Sequence, residues 1–347
     1  MKRVVSIAAA VAMTAGLAAC GSNDKSSGSS SGGTDQFKAA IAFDVGGRGD
    51  HSFNDASYQG LEDAKKKISN LSITTAEASE SDNDQARVNR LTQLASSGNK
   101  AIVAVGFVYA NAVGQVAKKF PNVKFAIIDD ATPASAGSNV EQITFKENES
   151  SYLAGAAAAK TSKTGHIGFV GALKVPLIQK FEAGYIAGAK KVNPSIKVDS
   201  KYLASDGKGF NDTPGGKAAA DAMFQSGADI VFAAAGKSGD GVISSAHSKG
   251  KWAIGVDSDQ ALTADKSVAG SVLTSATKRC AGTVEDFVNS VKDDSFKGGN
   301  KVYGLKEDGV SLSTTGNHLS ADTLKTVDDL KKQVVDGKIT VPTTPSN

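Results

Sequence analysis

Residues 38–55 read KAAIAFDVGGRGDHSFND. The apolar run from Lys38 to Phe43 has the length of a strand, Asp44 ends it, and Gly46, Gly47 and Gly49 follow at once. From Asn54 a helical periodicity continues to Ile68. Strand, glycine loop and helix in that order form the unit from which helix-covered parallel sheets are built. The glycines permit a tight loop and close backbone approach to a ligand. Ser52 to Asp55 has the character of a capping box, with Asp in place of Glu at the third helical position. An aromatic at a loop-to-helix junction, Phe53, suits stacking on a flat ligand, and Asn54 offers a donor and an acceptor. Spacing alone does not separate these roles from a hydrophobic plug and a local turn residue.

The same unit recurs along the chain. Apolar runs rich in Val, Ile, Ala and Phe predict strands over 38–43, 72–76, 101–105, 124–128, 142–145, 166–170, 197–202, 230–234, 252–256 and 269–273, with a late one at 310–312. Helices are predicted over 54–68, 85–97, 110–119, 151–161, 177–192, 213–226, 241–249, 281–291 and 321–335. Residues 37–143 and 165–265 each carry about four strand-helix units, which implies two Rossmann-like lobes of parallel sheet with helices on both faces. Elements left over at the end imply that the chain crosses between the lobes more than once, through a hinge of several strands. The first lobe is assigned 37–145 plus about 273–308, the second 146–272 plus about 309–340.

Polar residues stand just after the apolar runs: Asp44, Phe107 with its preceding glycine, Asp129 and Asp130, Gly171, Gly236, and Asp257. Ligands of open α/β sheets bind outside the carboxyl ends of the strands, so two facing lobes would bring these positions into one cleft. Other chemistries fail on spacing. Residues 47–52 are one short of a dinucleotide-binding glycine pattern, and the Gly236-Lys237-Ser238 stretch lacks the first glycine of a phosphate loop. Asp240 stands where a nucleophile elbow around Ser238 needs glycine. The four histidines, His51, His166, His247 and His318, have no i,i+4 pairing or cysteine partners, so no zinc site is expected. No cofactor and no catalytic acid, base or nucleophile set is expected.

The beginning of the chain points to export. Lys2 and Arg3 precede the small-residue apolar stretch Val4 to Leu17, and Leu17-Ala18-Ala19-Cys20 follows. Residues 1–19 therefore read as a signal peptide. The Leu-Ala-Ala-Cys order resembles the bacterial lipobox, which implies lipidation of Cys20. Residues 20–36, nearly all small and polar, read as a flexible linker that holds the folded part on the order of 20 Å from the lipid. The formal charge of +3 falls to about +1 without Lys2 and Arg3, and no basic cluster suggests nucleic acid. Cys280, the second of two cysteines, reads as a small core or helix residue, and the fold must rest on its hydrophobic cores.

Six segments in order carry a further signal: Asp44 with the glycine loop and Ser52-Phe53-Asn54; Ala126-Ile127-Ile128-Asp129; Phe181-Glu182-Ala183-Gly184-Tyr185; Phe232 to Gly241; Ile254 to Gln260; and Leu273 to Lys278. Together they resemble the basic membrane protein family of solute-binding lipoproteins, the PnrA-like purine nucleoside receptors. The resemblance covers nearly all of the chain after the linker and implies a type I periplasmic-binding-protein fold. It implies that Phe53 and Phe181 sandwich the purine, one from each lobe, and that Asp44, Asn54 and Asp129 contact the base. Asp257 and Lys278 would anchor the ribose hydroxyls beside the Gly236 backbone. Without the resemblance, Phe181 belongs to a core stripe with Ile178, Tyr185 and Ala189, Asp257 is a solvated turn acid and Lys278 a surface lysine. One departure from the family pattern is Lys237, which follows Gly236 where a small residue is usual and would narrow the sugar end or add a charge there.

The function implied is reversible capture of a purine nucleoside (guanosine, inosine or adenosine) with hinge closure, by a monomer anchored to the outer face of the bacterial cell membrane through its lipid. Its partners would be the permease and ATPase subunits of an ABC-type importer, with no nucleic acid. The alternatives are a ligand sensor for a membrane signalling partner and a secreted nucleoside hydrolase, the latter because paired acids beside a ribose suit such chemistry.

Overall fold

The computed structural model describes residues 36–79 and 81–345, so the expected signal peptide, Cys20 and nearly all of the linker lie outside the described residues. The first lobe opens with β1 (Phe37–Ala42), α1 (Phe53–Lys67), β2 (Leu71–Ala76), α2 (Asp84–Ser96), β3 (Ala101–Val105), α3 (Ala110–Lys119), β4 (Lys124–Ile128) and β5 (Val140–Phe145). The second follows with α4 (Glu147–Thr161), β6 (His166–Leu173), α5 (Pro176–Val192), β7 (Lys197–Ala204), α6 (Thr213–Gln225), β8 (Ile230–Ala234), α7 (Ser238–Ser248), β9 (Trp252–Asp257), α8 (Gln260–Thr263) and β10 (Val272–Lys278). The chain then returns to the first lobe for α9 (Cys280–Lys292) and β11 (Gly299–Tyr303), and ends in the second with β12 (Val310–Leu312) and α10 (Ala321–Val335).

Two six-stranded sheets result, ordered β11-β5-β4-β3-β1-β2 and β12-β10-β9-β8-β6-β7. The pairing is parallel throughout except for β12, which runs antiparallel to β10. Strand alternation explains the layers. In β1, Ala39 and Ile41 face Leu61 of α1 and Val284 of α9, whereas Ala40 and Ala42 face Leu91 of α2 and Val113 of α3. In β8, Ile230 and Phe232 face Tyr185 of α5, and Val231 and Ala233 face Ala220 of α6 and Val242 of α7. Each Ile or Phe buried in this way stabilises the fold by roughly 1.5–3 kcal/mol.

Crossings between the lobes fall after β5, after β10 and after β11, which makes a hinge of three strands. The second crossing corrects one sequence assignment. Residues 269–271 form a short 3-10 turn, and the strand placed there runs instead from Val272 to Lys278 in the second sheet, so 273–278 belong to the second lobe. Strand β11 (Gly299–Tyr303) was not expected at all: its sequence, GNKVY, is polar and its residues are exposed or half-buried, because it is an edge strand beside β5.

Candidate functional site

Three loops at the carboxyl ends of strands carry an acid into the space between the lobes: Asp44 after β1, Asp129 after β4 and Asp257 at the end of β9. Asp129 and Asp257 both have left-handed backbones, with φ of 66° and 64°. Asp tolerates that conformation better than most residues, at a cost of about 1–2 kcal/mol. A strained conformation of this kind recurs where a side chain must be aimed.

The first-lobe loop is organised by Asp50, which the sequence reading missed. Its carboxylate accepts hydrogen bonds from the backbone N–H groups of Ser52 (3.0 Å), Asn54 (2.8 Å) and Asp55 (3.1 Å), and so caps α1. The expected capping box is not formed: Ser52 Oγ is buried without a partner, and Asp55 accepts from the N–H groups of Gly49 and His51. Asn54 turns out to be mostly committed to the loop. Its Oδ1 accepts from the Asp44 N–H at 2.9 Å and its Nδ2 donates to Asp50 at 3.0 Å. Asn54 therefore positions Asp44 and keeps one amide hydrogen free for anything else.

At the β10 crossing, Lys278 is buried rather than on the surface. Its ammonium donates to Asp129 Oδ2 at 2.6 Å and stands 3.3 Å from Asp257 Oδ1. It also lies 4.5 Å from the Phe53 ring centroid and 5.7 Å from that of Phe181. Burial by itself would lower the Lys278 pKa, but Asp129 and Asp257 outweigh it and hold the group well above its ordinary value. Burial raises Asp257 to about 6 despite the ammonium. Asp44 rises further, to about 7, because burial acts there without a cation in contact and outweighs the Val45 N–H, at 2.7 Å, and the more distant charge of Arg87. Asp129 Oδ1 is buried and accepts no hydrogen bond from the described residues, whereas Asp257 Oδ1, buried as well, faces the Lys278 ammonium.

One cavity between the lobes is lined by Asp44, Phe53, Asn54, Asp129, Phe181, Gly236, Asp257 and Lys278, all eight residues singled out in the sequence. Asp50, Phe107 and Phe210 line it as well. Phe210 was missed because it ends a 3-10 turn, Gly207–Phe210, with no periodicity to mark it. Phe181 answers to both of its readings: it lines the cavity, yet it is 2% exposed and packs edge-on against Phe232 in the buried stripe with Ile178, Tyr185 and Ala189. Glycine is needed at two places on the wall. A Cβ on Gly106 (φ 94°) would lie 2.1 Å from Asp44 Oδ2, and one on Gly236 (φ 54°) would crowd the Phe210 carbonyl at 3.3 Å. Lys237 is not among the lining residues: it precedes α7, and its carbonyl accepts from Thr213 Oγ1 at 3.3 Å.

Two α/β lobes joined by three crossings, with a cavity walled by aromatic rings and acids between them, are the architecture of solute-binding proteins among other two-lobed proteins. Solved structures share the fold: a solute-binding protein of an ABC transporter system from Aeropyrum pernix K1 superposes with a TM-score of 0.75 at 24% identity, over 88% of this chain and 94% of its own. The family described as PnrA-like ABC transporter substrate-binding proteins matches residues 37–345, and the chain belongs to that family. Its relatives include the ABC transporter nucleoside-binding protein BmpA of Lactococcus lactis subsp. cremoris, 38% identical over 98% of this chain and 99% of that one. Basic membrane protein A of Borreliella burgdorferi is 33% identical over 91% of each chain. The protein is thus a substrate-binding protein of an ABC transporter, working on the extracytoplasmic side.

Proposed function

We propose that this chain binds a purine nucleoside in the cavity between its lobes and delivers it to the permease and ATPase of an importer. The observation that carries the reading is the buried, unpartnered acceptor Asp129 Oδ1, in a cavity lined also by the Asp257 carboxylate and the rings of Phe53 and Phe181. A buried acceptor without a donor costs roughly 1–3 kcal/mol, so a ligand that brings a donor to Asp129 recovers that cost on binding. A 6-oxopurine nucleoside brings a ring N–H at one end and ribose hydroxyls at the other, with a flat face for the aromatic rings between them. The nucleoside-binding relative from Lactococcus supports the same class.

Charge sets the selectivity. Asp44, Asp129 and Asp257 surround a single lining cation, Lys278, which those acids already occupy, so a phosphate finds no bidentate clamp. The expected order of affinity is guanosine or inosine, then adenosine, then guanine, with guanosine monophosphate last. Adenosine lacks the ring N–H, and guanine lacks the hydroxyls that Asp257 would accept from. Calorimetric titration with guanosine, guanine and guanosine monophosphate tests this; a monophosphate that binds as tightly as the nucleoside sinks it. On the same reading the protein is a lipid-anchored monomer. Replacing Cys20 by Ser should then release it from membranes without altering affinity, and retention of that variant would contradict the anchor.

A further inference from the structure

His51, in the glycine loop of the first lobe, touches two segments of the second. Its Nδ1 lies 3.1 and 3.2 Å from the two carboxylate oxygens of Asp240, in the first turn of α7. Its carbonyl accepts hydrogen bonds from Ser258 Oγ at 2.6 Å and Thr263 Oγ1 at 2.7 Å. The residue is held for this purpose: its backbone is left-handed (φ 54°), and its own N–H is fixed by Asp55 Oδ2 at 3.0 Å. His51 is not among the residues lining the cavity, but it stands two residues before Phe53, and Ser258 follows Asp257 directly.

Position decides what these contacts do. The hinge leaves the first sheet from β5 and β11, and β1 is separated from β5 by β3 and β4. A hinge rotation therefore moves the end of β1 relative to the second lobe, whereas the Lys278–Asp129 contact sits where the chain crosses. Such a rotation would break the contacts made at His51. We infer that His51 is the closure-determining residue of this binding protein, a clasp that sets how long the captured ligand stays without touching it. The inference rests on the reading that the cavity takes the transported ligand.

An interaction present only in the closed form raises the closed population and slows escape, while encounter with the open form is unaffected. A partly exposed imidazole–carboxylate contact and two hydroxyl hydrogen bonds are each worth a factor of a few in such an equilibrium. Removing both hydroxyls through Ser258→Ala with Thr263→Val should speed guanosine dissociation about tenfold, and Asp240→Ala about threefold. Association should stay within about twofold, and the preference for guanosine over guanine and the thermal stability of the ligand-free protein should not change. His51→Asn is the conservative variant: Asn tolerates a left-handed backbone and hangs its amide nitrogen on Cγ, as His does Nδ1, so it should dissociate like the parent.

Stopped-flow rates on the full chain with guanosine decide the matter. Unchanged dissociation in the double variant, or a loss carried entirely by association, overturns the clasp. Failure of the nucleoside reading has a different signature, because the unsubstituted protein would not bind guanosine at all. In that event the small molecule that copurifies with the chain, followed by mass spectrometry, is the probe: the double variant should lose it about tenfold faster during dialysis, and equal retention overturns the inference.

Discussion

Asp44 and Asp129 both stand just beyond a strand of the first sheet and both line the same cavity, yet they meet different neighbours. Asp129 receives the Lys278 ammonium at 2.6 Å. Asp44 receives one backbone N–H and no cation in contact, with Gly106 packed against its Oδ2, and burial lifts it to about 7. The same residue type at the same kind of position is thus paired with a cation in one case and, in the other, buried without one and raised toward neutral pH. Neighbours rather than position set the chemistry, which is the usual way two carboxyl groups acquire separate roles.

The largest test of this contrast removes the cation. Lys278→Met leaves Asp129 and Asp257 buried without their partner and should cost about 3–5 kcal/mol in urea unfolding, with guanosine binding lost. Adding Asp129→Asn to that variant should recover much of the stability but none of the binding. A loss below about 1 kcal/mol in the single variant would mean that water reaches the pair and that the cavity end is not dry.

The two aromatic walls should separate next. Phe181 belongs to the core stripe, so Phe181→Ala should cost roughly 3–5 kcal/mol of ligand-free stability as well as affinity. Phe53 is half-buried at the loop-to-helix junction. Its alanine variant should weaken guanosine by roughly 5- to 150-fold, the 1–3 kcal/mol of a stacked base, with a much smaller change in melting temperature. Equal losses of stability in the two variants would place Phe53 in the core as well.

Asp44 can be read from the pH dependence of stability. Its folded value, about 7, lies above the ordinary 3.8, so between those limits the folded chain holds a proton that the unfolded chain has released. The stabilisation is complete below about pH 4, declines by on the order of 1.4 kcal/mol per pH unit, and is gone above about pH 7. Asp257 and Glu147, raised to about 6 and about 7 by burial, add slopes of the same sign, so the difference between variant and parent is the useful quantity. Relative to the parent, Asp44→Asn should gain stability steadily from pH 4 to pH 7. A difference that does not vary with pH would show that Asp44 is ionised throughout. Smallest of all should be Lys237→Gly, which removes a side chain outside the cavity and should change guanosine affinity less than about twofold.

Much of the architecture was legible because strands buried on both faces are written as continuous apolar runs. Runs such as 101–105, 124–128 and 230–234 coincide with β3, β4 and β8. The failures share one cause. Strand β10 carries the polar residues Thr274, Ser275 and Lys278, which interrupt an apolar run but are buried, with Thr274 Oγ1 donating to the Ser313 carbonyl at 2.6 Å. Strand β11 has no apolar run because its place is set by the main chain of β5. In both cases a distant segment supplies the partner, and local periodicity carries no trace of it.

The site divides along the same line. Which residues come to the cavity follows from short-range rules: an acid or a glycine after an apolar run lies at the carboxyl end of a strand, and facing lobes gather such ends together. What those residues do there depends on partners far away in the chain. Lys278 meets Asp129 across 149 positions and His51 meets Asp240 across 189. The raised pKa of Asp44, the committed amide of Asn54 and the unpartnered oxygen of Asp129 likewise follow from the way the folded chain surrounds them. Desolvation and hydrogen bonding act over a few ångströms, and only folding brings residues so far apart in the chain within that range.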